Sequence, residues 1–231
     1  MEGPKVPRSY KRAPTPEQVD ALAGAMEDRY RAWVYLVAYT GLRPGESYAL
    51  RVDDFDEVHG TIRVDEGLRQ VGGMGPTKTD GSSRTVPIPP SVARMLSEYM
   101  AEYPPNDDGL IFTSPSGQAI NAGNFRRRYF DKAAQAAGVP WLTPNSLRHA
   151  GASFMRLAGG KVEEVSRRLG HSRTSVTMDV YADVFREADE QVTAGLDTIL
   201  SNSRSQAAAA FSLPHAEEAT IRTLSSGEEN A

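Results

Sequence analysis

Two arginines, a lysine, a histidine and a tyrosine stand in local settings that suit work on a phosphodiester. Arg43 lies in "TGLRPGE", between a glycine stop and a proline-led helix start, so rigid backbone holds it on both sides. A helix N-terminus beside it favours an anion. Lys78 sits in the glycine-rich stretch "GGMGPTKTDGSS", flanked by threonines. Arg148 and His149 lie on a helix opened by "TPNS", and His171 follows Gly170 in "LGHS". Tyr181 comes ten residues after that histidine. Arginine forks clamp the non-bridging oxygens of a phosphodiester and stabilise the added charge of a pentacoordinate transition state. A lysine protonates a departing alkoxide, and a tyrosine hydroxyl attacks phosphorus and holds it covalently. Such a set needs no metal, because the arginines supply the positive charge.

Taken singly, the same residues read otherwise. On a helix, Tyr181 lies about 100° from the centre of the Val176–Val180–Val184 stripe, so it borders the core, and periodicity alone favours packing. His171 alone reads as a cap or loop residue, Arg43 as a surface salt bridge, and Lys78 as a solvated lysine of a glycine-rich tip. His149, beside Arg148 on one helix, faces elsewhere and reads as a structural or supporting hydrogen-bonding group.

The elements that position these residues are mainly helical. Thr15, Pro16 and Gln18 form a helix start with an N-cap, a proline at N1 and a capping-box partner. Helices are expected at about 16–27 and 29–40, the second stopped by Gly41. Pro44 and Glu46 open a third, short helix, with the carboxylate near its positive end. "HGTIRVDE" and "SRTVPIP" alternate like strands, which predicts a small antiparallel sheet over about 60–89 with "GGMGPTKTDGSS" as its hairpin loop. "GLIFTSPSG" reads as an extended bridge and turn. Further helices are expected at about 90–103, 121–137, 146–158, 161–169, 175–184 and 187–200. Trp33, Leu36, Val37, Trp141, Leu147, Phe154 and Leu169 are core candidates. The fold class is mainly α with a small antiparallel β-sheet, an α+β domain.

Bulk properties narrow the function classes. The 231 residues include no cysteine, which removes disulfides and thiolate chemistry. No Asp/Glu/His set has a recognisable metal-site spacing, and neither a P-loop nor a G-x-S-x-G elbow is present. The N-terminus lacks an apolar segment of signal-peptide type, and no apolar run is long enough to cross a bilayer, so a cytoplasmic protein is expected. The formal net charge is −4. Residues 201–231 carry two arginines against four glutamates, leaving 24 basic and 26 acidic groups in residues 1–200. A near-neutral body can still present a basic face. Clusters at Lys5–Arg8–Lys11–Arg12, Arg126–Arg127–Arg128 and Arg167–Arg168 point that way, although each alone also reads as a solvated face.

"TGLRPGE", a hairpin lysine, "NSLRHA", "LGHS" and the tyrosine resemble, in order, the motifs of the tyrosine recombinases, the phage-integrase family. The resemblance covers about 12–190, the length of that family's catalytic domain, and implies its fold. It implies that Arg43 and Arg148 clamp the scissile phosphate, Lys78 protonates the departing 5′ oxygen, and His171 hydrogen-bonds the phosphate. Tyr181 would be the nucleophile of a 3′-phosphotyrosyl link, with Glu46 in a supporting acidic position. One position departs: the family's usual H-x-x-R reads Asn145-Ser146-Leu147-Arg148 here. Asparagine hydrogen-bonds a phosphate oxygen or a phenol but does not titrate near neutrality, so the tyrosine proton needs another acceptor.

The resemblance further implies double-stranded DNA attachment sites as partner and neither metal nor ATP as cofactor. It implies a monomer that becomes a homo-tetramer on DNA, accessory DNA-bending or directionality proteins, and a bacterial cytoplasm with nucleoid association. Residues 1–12 would be a basic linker to an N-terminal DNA-clamping domain absent from this chain, 13–200 the catalytic domain, and 201–231 a low-complexity, disordered tail. Two rival readings are a type IB topoisomerase-like nicking-closing enzyme and a non-catalytic DNA-binding protein on a decayed integrase fold.

Overall fold

The computed structural model describes residues 13–68, 74–76, 83–171, 173–175 and 177–178. Lys78 and Tyr181, with the helices expected at 187–200 and in most of 175–184, lie outside them.

Helix α1 (Pro16–Ala25) starts as its sequence predicts: Thr15 Oγ1 accepts from the Gln18 amide and Gln18 Oε1 from the Thr15 amide. Helix α2 (Asp28–Thr40) follows and ends on Gly41, whose φ is 70°. Helix α3 (Pro44–Tyr48) begins three residues after that glycine. A short 3-10 turn (Val52–Asp54) leads into strand β1 (Phe55–Asp56) and then β2 (Thr61–Val64).

Strands β3 (Glu66–Leu68) and β4 (Met74–Pro76) form an antiparallel pair, with Gly67 opposite Gly75. Strand β4 corrects the expectation that 72–83 is all loop, because ladder pairing outweighs glycine's low strand propensity. Strand β5 (Arg84–Pro87) returns beside β2, giving a three-stranded antiparallel sheet in the order β1-β2-β5. Ile62 pairs with Val86, and both are buried. The two-residue edge strand β1 precedes the region expected to be sheet and is too short to carry an alternation signal.

Helix α4 (Pro90–Glu102) is followed by isolated bridges Arg51–Leu110 and Thr113–Ala119, the extended bridge and turn expected there. The helix expected at 121–137 is broken into α5 (Ala122–Phe125), a π-helical turn (Arg126–Phe130) and α6 (Asp131–Ala136). Phe125 and Phe130 are both buried; five residues apart, they would face roughly 140° apart on a regular helix. The wider turn brings both toward the core, which a uniform period cannot show.

Helix α7 (Pro144–Leu157) is capped by Thr143, and every residue from Ser146 to Ser153 is buried. Helix α8 (Val162–Leu169) ends on Gly170. The core joins α1, α2, α4 and α7 to the sheet. Trp33 is fully buried, stacked on Tyr48 with ring centroids 5.5 Å apart, and its indole N–H donates to Ser47 Oγ at 2.8 Å. Leu36, Val37, Leu147 and Leu169 are also core. Trp141 and Phe154 are only partly buried and pack against its margin; helical periodicity gives a face, not a depth. Among the described residues no helix is long and apolar enough to cross a membrane.

Candidate active site

Three consecutive carbonyls at the end of α8 receive three arginines from three other elements. Arg84 Nε donates to the Arg168 carbonyl at 2.7 Å, Arg148 Nη2 to Leu169 at 2.7 Å, and Arg43 Nη2 to Gly170 at 3.0 Å. The last carbonyls of a helix have no intrahelical partner and carry the negative end of its dipole. Cations are therefore the natural caps, and here they arrive from β5, α7 and the residue before α3.

Arg43 sits at the α3 N-cap. Its backbone N–H donates to Glu46 Oε2 at 2.8 Å and its Nη1 to Glu46 Oε1 at 2.7 Å. The surface-salt-bridge reading is thus partly right, but the partner is not at the surface: Glu46 is 3% exposed and the Arg43 side chain 42%. Arg148 is 4% exposed and also donates through Nη1 to the Gly41 carbonyl at 2.8 Å. That contact ties α7 to the end of α2.

Arg84 escaped sequence reasoning. Its side chain is 7% exposed, with Nη1 3.1 Å from Glu46 Oε1 and Nη2 2.8 Å from Glu46 Oε2. A signal was present: strand alternation puts Arg84 on the face of Val86, and an arginine on an apolar face requires a buried counter-charge. Burial pushes the Glu46 carboxyl up in pKa, but the hydrogen bonds and charge of Arg84, with the charge of Arg43, more than reverse this and hold it below the ordinary glutamate range.

His171 follows Gly170, whose φ of 66° turns the chain out of α8. Its Nε2 lies 3.0 Å from Arg148 Nη2 and its Nδ1 2.7 Å from Thr177 Oγ1. A guanidinium only donates, so Nε2 accepts and Nδ1 carries the proton that Thr177 receives. Burial, then the charges of Arg148, Arg43 and Arg84, with His149 a smaller influence, lower its pKa to about 4. At neutral pH it is therefore a neutral imidazole in this setting, and an anion beside it favours its protonation. Thr177, fully buried, is a second partner that sequence reading did not single out.

Asn145 is exposed in the first turn of α7, and its Nδ2 lies 3.1 Å from Nε2 of buried His149, one helical turn on. His149, expected to be a structural or supporting hydrogen-bonding group, thus has Asn145 as a hydrogen-bonding partner. Arg43, Arg148, His171 and Glu46 converge on one place, and Asn145 with His149 flank Arg148 along α7. Among the described residues no group of three His, Asp or Glu gathers as a metal site.

The arrangement is strongly positive, with three guanidinium groups against one carboxylate beside the His171 imidazole, and Arg43 is its most exposed arginine. The chain is similar in sequence and fold to known proteins. The sequence profile of the Phage integrase family matches residues 13–188. The chain is 35% identical over 188 residues to the integrase of Mycobacterium phage D29, covering 77% of this chain and 49% of that protein. It thus spans about half the length of the curated relatives it matches. XerA recombinase shares the fold at a TM-score of 0.65 and 23% identity, over 80% of this chain and 66% of that one. The Tn1549 transposon integrase, solved in complex with circular intermediate DNA, does so at 0.67 and 21%, over 80% and 68%.

Proposed function

This chain belongs to the phage integrase family, and we propose on that premise that it is the catalytic part of a site-specific DNA recombinase, an integrase of a phage or mobile element. The observation that carries the reading is the convergence of Arg43, Arg148 and His171 on the C-terminal turn of α8. Arg43, with its exposed flank, and Arg148 grip the non-bridging oxygens of the scissile phosphate, and His171 donates to the same group once its Nε2 carries a proton, which the negative charge of the phosphate favours. The Tyr181 phenolate oxygen attacks phosphorus as the P–O5′ bond breaks, and Lys78 gives its proton to the departing 5′ oxygen. The product is a 3′-phosphotyrosyl strand with a free 5′-hydroxyl. A 5′-hydroxyl from the partner duplex then attacks that phosphorus and releases the tyrosine. The energy of the phosphodiester is retained in the linkage, so neither ATP nor metal takes part. Asn145 orients a phosphate oxygen or the phenol without titrating, and the phenol proton leaves through water or the phosphate. Four copies on two DNA sites would complete strand exchange.

The test is a nicked duplex bearing a site that the chain selects from a randomised library, incubated in EDTA and run on a denaturing gel. A covalent protein–DNA band is expected from the wild type and not from Tyr181→Phe. Its presence in both would remove Tyr181 as nucleophile. A band from Asn145→His alone would mean that the site is complete except for a proton acceptor.

A further inference from the structure

Arg84 is the one arginine of the cluster to which the proposed chemistry gives no task. Its guanidinium is turned to the protein, placing one hydrogen bond on each oxygen of Glu46 and a third on the Arg168 carbonyl. Glu46 poses a problem for an anion site. It holds Arg43 by both backbone and side chain, but a carboxylate 2.7 Å from the solvent-open guanidinium would leave that pair nearly neutral toward an incoming phosphate. With Arg84 on the same carboxylate, three guanidinium groups face one carboxylate and two positive charges remain. A phosphodiester brings one negative charge and its pentacoordinate transition state a second.

We propose that Arg84 is a positioning residue that neutralises Glu46, so that Glu46 can orient Arg43 without cancelling its charge toward a phosphate. Its bond to the Arg168 carbonyl also fixes the turn that carries Gly170 and His171. Gly170 closes over it: a Cβ there would lie 2.8 Å from Arg84 Nη1. Because Arg84 opens β5, it also ties the strand that follows Lys78 to the arginine cluster. The inference rests on the recombinase reading for its substrate but not for its test.

The test uses inorganic sulfate as a tetrahedral anion. The full chain is titrated at constant ionic strength and followed by the ring nitrogen shifts of His171. Wild type is compared with Arg84→Met, Arg84→Lys and the double variant Arg84→Met/Glu46→Gln. Arg84→Met should weaken sulfate binding about tenfold, since one nearby charge is lost from a partly shielded site. Arg84→Lys should weaken it less, because an ammonium cannot bond both carboxylate oxygens at once. The double variant should recover most of the loss, since removing Glu46 restores the surplus of two charges. An arginine that merely stabilised the fold would give the reverse order, with the double variant worst. No binding by wild type, equal binding by Arg84→Met, or no recovery in the double variant would each overturn the proposal. Should Arg84→Met not fold, Arg84→Lys with and without Glu46→Gln gives the same decision. In the nicked-duplex assay, no covalent band from either wild type or Asn145→His would sink the recombinase reading and leave the sulfate result standing.

Discussion

Helices α2 and α8 end alike and do different work. Each closes on a glycine in the left-handed region, Gly41 and Gly170, and each leaves carbonyls without helical partners. At α2 the glycine provides room. A Cβ on Gly151 of α7 would come within 2.7 Å of the Gly41 amide nitrogen and Cα, so the two helices meet backbone to backbone. At α8 the carbonyls matter more, because three successive ones hold Arg84, Arg148 and Arg43. Arg148 belongs to both ends, bonding the Gly41 carbonyl at one and the Leu169 carbonyl at the other. The comparison teaches that a helix terminus becomes a candidate site through the charges that other elements bring to it.

The sharpest break of this contrast is at the α2 end. Gly151→Ala sets a methyl against backbone that cannot move aside, and should cost about 3 kcal/mol. Thermal unfolding should shift down by roughly 6–12 °C, with anion binding in the surviving folded fraction unchanged. At the α8 end the balance should invert. Gly170→Ala strains a positive φ and pushes on a side chain, costing about 1–2 kcal/mol, while strand cleavage falls at least tenfold as Arg84 and His171 shift. Equal losses in both measurements for both variants would erase the distinction.

The smallest effect expected is a pH dependence. His171 has a folded-state pKa of about 4 against 6.5 unfolded. Between those values the unfolded chain binds more protons, so stability rises with pH across that window and is lost on acidification. Between pH 7 and pH 4.5 the melting temperature of wild type should therefore fall by a few degrees more than that of His171→Gln. A histidine that stayed ionised at neutrality despite the arginines around it would show no such difference.

Much of this was legible from residue order. The Thr15 capping box, the Gly41 stop, the α3 start at Pro44 and the β2–β5 pairing follow from local chemistry, and the structure has each of them. The fold class and the family were also readable, since five motifs in order carry more information than any one setting. The π-helical turn at Arg126–Phe130, the edge strand β1 and strand β4 were not, because each depends on a partner outside its own segment. Trp141 and Phe154 lie at the margin of the core for the same reason.

The sequence by itself determined which groups are available: the arginines, the histidine, the carboxylate three residues after Arg43, and an asparagine that does not titrate. Only the tertiary structure decided what each group is bonded to. Glu46 and Arg84 are 38 residues apart and Arg43 and Gly170 are 127 apart. Whether a carboxylate cancels an arginine or merely aims it depends on the second cation beside it. Coulomb interaction and hydrogen bonding fall off over a few ångströms of space, and distance along the chain does not enter.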